Sequence, residues 1–144
     1  GLALGSFVPP KERRGLVLAD PPYESPDEFG QLIEAFAKAY KRWPTGIYML
    51  WYPVKDLEAV QQLRDRLAAT GIRRLLRTEL NVRARNTPDR FNGSGLVICN
   101  APWRFADALR DLLGGLAPIL ADGTGGGVVV EVVTLSEATP LLFG

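Results

Sequence analysis

Histidine is missing from all 144 residues. That removes the usual general base at neutral pH, imidazole metal ligands and Ser-His nucleophilic chemistry, so catalysis by this chain's own residues has to run without imidazole and is expected to need no metal. One cysteine cannot close an internal disulfide, and the default compartment for such a chain is the reducing cytoplasm. No apolar run approaches the ~18–20 residues that span a bilayer. The opening Gly1-Leu2-Ala3-Leu4-Gly5-Ser6 lacks the charged start of a signal peptide. Net charge is only +1, which by itself says nothing about nucleic acid.

What is present is an ordinary globular composition, 47% hydrophobic and 23% charged, in a length suited to one domain or part of one. The charge is unevenly spread. Between Arg73 and Arg90 lie six arginines (73, 74, 77, 83, 85 and 90) against Glu79 and Asp89. Arginine suits bidentate phosphate contact and base stacking, although a solvated strand and loop would look the same from charge alone.

Hydrophobic patterning divides the chain into alternating elements. Gly15 to Asp20 reads as a short buried strand stopped by a double proline. Phe29, Leu32, Ile33, Phe36 and Tyr40 recur at helical spacing between Pro26 and Trp43, with Ser25 as N-cap and Glu28 three residues on. Gly46 to Tyr52 is a second strand stopped by Pro53, and Lys55 to Thr70 a second helix with Gly71 past its end. A strand over Ile72–Val82, a polar loop over Arg83–Asn92, a strand over Gly95–Cys99 and a helix over Ala106–Leu120 follow. Residues 121–127 form a Gly-rich flexible link before a last strand over Val128–Leu135. The order β-α-β-α-β-β-α-β predicts a layered α/β sheet, with parallel strands and an antiparallel hairpin at one edge. Ligands in open α/β sheets sit at the carboxyl ends of parallel strands, where Asp20 and the Trp51-Tyr52-Pro53 corner are expected.

Asp20-Pro21-Pro22-Tyr23 directly follows the first strand. A strand-terminating turn, in which Asp caps, Pro stops the ladder and Tyr packs, is the plain explanation. The chemical one is richer. An exocyclic amine on a nucleobase is a poor nucleophile because its lone pair is delocalised into the ring. A carboxylate accepting one N–H and a carbonyl accepting the other localise and aim that lone pair. Asp20 and the Pro21 carbonyl are the two acceptors, Pro21 and Pro22 stiffen the turn, and Tyr23 offers a ring face for a flipped base. Asn92-Gly93-Ser94-Gly95 reads as a tight turn or, beside Arg83, Arg85 and Arg90, as a loop touching RNA backbone. Trp51, Tyr52 and Trp103 read as core or wall rather than base platforms, and Cys99 as an inert core thiol.

The segment Arg13-Arg14-Gly15-Leu16-Val17-Leu18-Ala19-Asp20-Pro21-Pro22-Tyr23-Glu24 resembles the catalytic segment of the bacterial 23S rRNA adenine-N6 methyltransferases. The resemblance continues through Leu50-Trp51-Tyr52-Pro53, Asn92-Gly93-Ser94-Gly95 and Asn100-Ala101-Pro102-Trp103, and covers about residues 9 to 120. It implies a Rossmann-like methyltransferase fold, S-adenosylmethionine as donor and protein-free 23S ribosomal RNA as substrate. It also implies that Asp20 is catalytic and touches the cofactor, that Pro21 and Pro22 complete the motif, and that Tyr23 stacks on the adenine. Arg83, Arg85, Arg90, Asn92 and Ser94 are the expected RNA contacts. Ala101 stands where the family usually has a proline. Residues 1–144 are expected to be the C-terminal portion of one methyltransferase domain, lacking the N-terminal cofactor-binding half. A non-catalytic RNA-binding or structural remnant, or a guanine-N2 or DNA amino-methyltransferase, is the alternative reading.

Overall fold

The computed structural model describes residues 11, 14–23 and 27–133. The elements are β1 (Leu16–Ala19), α1 (Glu28–Arg42), β2 (Ile47–Val54), α2 (Leu57–Ala69), β3 (Leu75–Asn81), β4 (Gly93–Cys99), α3 (Phe105–Leu120) and β5 (Gly127–Val132), in the order the patterning predicts. They form a mixed α/β structure around one five-stranded sheet in the order β1-β2-β4-β3-β5. β1 and β2 are parallel, whereas β4 is antiparallel to both β2 and β3, and β5 to β3. β1, β2 and β3 therefore run the same way, and the loop after Val82 leaves at the Asp20 end of the sheet.

The patterning predicts the β3–β4 pair at an edge of the sheet, but it lies inside it. β4 inserts between β2 and β3, and β5 closes the far side. Strand order is a non-local property that a linear pattern cannot carry.

One face of the sheet is covered by α1 and α2. Leu32, Ile33, Phe36 and Ala39 form one stripe of α1, and Val60, Leu63 and Leu67 one stripe of α2. Both stripes pack on Tyr48, Leu50, Tyr52, Val54 and Val97. Each such large apolar side chain stabilises the fold by about 1.5–3 kcal/mol. α3 packs on the other face, where Leu109 meets Leu76 and Ile98. It leaves the β1 end open, with Leu16 58% and Leu18 61% exposed.

Several boundaries differ from the pattern. Ser25 and Pro26 lie outside the described residues, and the described N-cap of α1 is Asp27, which makes no side-chain cap bond. β2 continues through Pro53 to Val54. The Val54 carbonyl accepts the Asn92 N–H at 2.7 Å, so alternation turns the Pro53 nitrogen to the opposite side, where β1 has already ended. A proline is tolerated there because no ladder bond is lost.

Gly93 and Gly95 are ladder residues of β4 rather than a turn. The Tyr52 ring lies across Gly95 where a Cβ would collide with it, so the glycine supplies space. The Gly-rich run before β5 is docked, not free: the Asp122 N–H donates to the Val82 carbonyl at 2.7 Å, and Gly125 and Gly126 press on Ala84 and the end of β3.

Candidate active site

Asp20 leaves the carboxyl end of β1 with its side chain exposed, and makes no hydrogen bond or ion pair among the described residues. Pro21 is buried and Pro22 exposed, so the turn is anchored on one side. Tyr23 adopts a left-handed backbone conformation (φ 54) that a bulky residue enters only when its surroundings hold it. They do so here. Its hydroxyl donates to the Trp51 carbonyl, and its ring packs 4.8 Å from Phe29 and 5.9 Å from Trp51 between centroids. Burial, then the negative charges of Asp20 and Glu28, raise the Tyr23 phenol well above its ordinary value, so it remains a donor. The Asp-Pro-Pro-Tyr turn is thus clamped onto β2, with part of the Tyr23 ring and the Asp20 carboxylate left accessible.

The six arginines go to three different places. Arg77 and Arg85 point inward onto Glu79, which is completely buried beneath α2. Arg85 Nε lies 2.7 Å and Nη2 3.1 Å from the two Glu79 oxygens. Tyr52 donates to Glu79 at 2.9 Å, and Asn81 at 3.2 Å. Burial alone would raise the Glu79 carboxyl, but the Arg85 hydrogen bonds and the Arg77 charge outweigh it and hold it below the usual range. Arg77 also reaches Glu131 of β5 at 2.8 Å, and Arg64 of α2 reaches the same carboxylate at 3.0 Å. Arg85 is therefore engaged by Glu79, although its side chain is 36% exposed.

Arg83 is held by the Phe91 carbonyl and the Asp122 carboxylate, and it lowers the Asp122 pKa. Arg90 is exposed. Arg73 and Arg74 sit at the opposite end of the sheet, where with Arg14 and Trp103 they line an open cavity of about 810 Å³. That cavity is built from the amino ends of β1, β2 and β3 and does not adjoin Asp20.

Asn92, expected at RNA, is fully buried and serves the loop. Its amide donates to the Arg85 and Thr87 carbonyls, both at 2.9 Å. Ser94 is half-buried on β4 opposite Pro53. Trp51 is partly buried as a wall, Tyr52 is core, and Trp103 is exposed. Burial pushes the Cys99 thiol up to about 11, as an inert core residue requires. The residue that sequence reasoning misses is Phe91, whose ring stacks on Trp51 with centroids 6.4 Å apart. A lone aromatic in a polar loop has no periodicity to mark it.

The family model described as ribosomal RNA large subunit methyltransferase D, RlmJ, matches residues 2–134. The chain belongs to that family. It is 40% identical over 127 residues to the ribosomal RNA large subunit methyltransferase J of Haemophilus influenzae, covering 88% of this chain and 45% of that protein. To the protein of the same name from Escherichia coli K12 it is 37% identical over 131 residues, covering 90% of this chain and 47% of that one. A crystal structure of a Legionella pneumophila protein superposes with a TM-score of 0.81 at 28% identity, over 92% of this chain and 49% of the other. The chain thus spans about half the length of these relatives. The family and this likeness identify the sheet as part of a Rossmann-like methyltransferase fold.

Among the described residues no helix is long and apolar enough to cross a membrane, and no group of three His, Cys, Asp or Glu side chains is placed to hold a metal. Towards S-adenosylmethionine these residues fit as one wall. Asp20 offers an accessible carboxylate at a strand's carboxyl end, and the β1 flank beside it is uncovered.

Proposed function

We propose that this chain carries the amine-activating half of an enzyme that transfers a methyl group to the N6 amine of an adenine in protein-free 23S ribosomal RNA, in the cytoplasm. The observation that carries the reading is the clamped turn: an exposed Asp20 carboxylate, unpaired among the described residues, on a double-proline segment whose Tyr23 is fastened to β2. Membership of an rRNA methyltransferase family supports the substrate class.

S-adenosylmethionine, when bound, supplies an electrophilic methyl on a sulfonium. This chain's residues prepare the other reactant. Asp20 accepts one N–H of the amine and the Pro21 carbonyl accepts the other, which turns the nitrogen lone pair out of conjugation and towards the donor. As nitrogen gains its fourth bond it must lose a proton, and Asp20, already holding that N–H, is placed to take it. The two prolines fix the turn so that both acceptors are aligned before substrate arrives. Tyr23, held at its hydroxyl end, presents ring surface on which a flipped base can stack. Of the expected RNA contacts, Arg90 is exposed and Ser94 half-buried, and both stay available to a strand. Arg83, Arg85 and Asn92 shape the loop that carries Arg90.

Asp20→Ala in the full-length protein is expected to lower methyl transfer to 23S rRNA transcript by on the order of 10²–10³-fold or more, with an unchanged circular dichroism spectrum. Nucleoside mass spectrometry of the product distinguishes N6-methyladenosine from N2-methylguanosine. Near wild-type transfer by the variant, or a methylated guanine, would overturn the assignment.

A further inference from the structure

Phe91 is unusual for its place. It ends a polar loop and is 47% exposed, yet its ring lies against Trp51 with the planes only 23° apart. The backbone around it is fixed from within. The buried Asn92 side chain ties the loop to two of its own carbonyls, the Asn92 N–H binds the Val54 carbonyl, and Arg83 holds the carbonyl of Phe91 itself. Arg85 adds a bridge from the same loop to buried Glu79. The result is an exposed aromatic ring that is already positioned, so a partner stacking on it has little ordering entropy to overcome.

Tyr23 and Phe91 both contact Trp51, towards the carboxyl ends of β1 and β2. Tyr23 lies 5.9 Å from Trp51, and Trp51 6.4 Å from Phe91, between ring centroids. Phe91 is thus linked to Tyr23 through Trp51 and offers a ring surface of its own. Arg90, its chain neighbour, is exposed and adds positive charge at that rim.

We propose that Phe91 is the platform of a second base subsite, on which an unpaired nucleobase next to the target nucleotide stacks while Arg90 meets the strand's phosphate. This rests on the reading of the site as an RNA amino-methyltransferase. Every base has a π face, so a single ring selects for an unstacked strand rather than a sequence. The substrate class is then RNA in which the target and at least one neighbour are unpaired.

The test uses the full-length protein, its Phe91→Ala and Phe91→Trp variants, and RNA oligonucleotides carrying 2-aminopurine on one or the other side of the target adenine. Wild type should quench 2-aminopurine on one side on binding. Phe91→Ala should lose that quenching and raise the RNA Kd and KM by roughly 5- to 100-fold, with the loss in KM rather than kcat. Phe91→Trp should retain quenching and affinity, which a merely misfolded loop would not. Unchanged quenching and KM in Phe91→Ala, with wild type still methylating, would sink the platform and leave the enzyme reading standing. Quenching that depends on Phe91 without any methyl transfer would keep the subsite and sink the enzyme reading. No binding of RNA by wild type would sink both.

Discussion

At the scale of single residues, Gly95 and Asn92 supply space and a buried amide rather than a turn. Gly95 sits beneath the Tyr52 ring, and a methyl group there would overlap it. Tyr52 cannot easily swing away, because its hydroxyl is bonded to Glu79. Gly95→Ala should therefore destabilise the fold by about 1–3 kcal/mol, read as a lower denaturation midpoint. Gly114 in α3, where an added Cβ meets nothing within 4 Å, is the contrasting case. Gly114→Ala should stabilise by about 0.5–1 kcal/mol. Equal effects at the two positions would show that the Tyr52 ring yields. The turn from Asp20 to Tyr23 is legible in the sequence, because its four residues are contiguous. The purpose of Gly95 or Phe91 is not, because the partner of each, Tyr52 or Trp51, arrives from a distant strand.

At the scale of elements, β3 is the strand whose composition misleads. Arg77, Glu79 and Asn81 alternate with Thr78 and Leu80, which looks like one solvated face. That face is instead covered by α2, and its charges are neutralised internally, with Arg64 and Glu131 completing the set. Removing Glu79 takes from buried Arg77 one of its two carboxylates and from Arg85 its partner. Glu79→Gln is expected to cost about 3–5 kcal/mol. The pH dependence has a definite sign. The folded Glu79 carboxyl is held below its ordinary value, so its stabilisation is fully present above about pH 4.3, the usual value for an unfolded glutamate. It drains away as pH falls through the lower folded value. Denaturation midpoints followed from pH 7 to pH 3 should fall more steeply for wild type than for Glu79→Gln. Parallel curves would remove Glu79 from the acid response.

At the scale of the whole molecule, the arginine-rich stretch is not one basic surface. It is divided among an interior network, the loop at the Asp20 end and a cavity at the far end of the sheet. The division makes two otherwise similar substitutions behave differently in the full-length protein. Arg90→Gln should weaken RNA binding and reduce the magnitude of the logarithmic salt slope by about 0.7–0.9, with the melting temperature unchanged. Arg85→Gln should lower the melting temperature, because it strips a partner from buried Glu79. The reverse pattern would return Arg85 to the RNA surface. The number, order and type of elements were readable from periodicity and punctuation. The placement of β4 was not, since its neighbours on both sides are chosen by the sheet as a whole. That placement also has a consequence in time. Trp51 and the residues after it in β2 pair only with β4, so they gain no strand neighbour until the chain through Cys99 has been made. At about 5–20 residues per second, the nascent site waits on the order of seconds as a half-built edge. Translation speed across the segment from α2 to β4 would then govern how long that edge is open to wrong pairing.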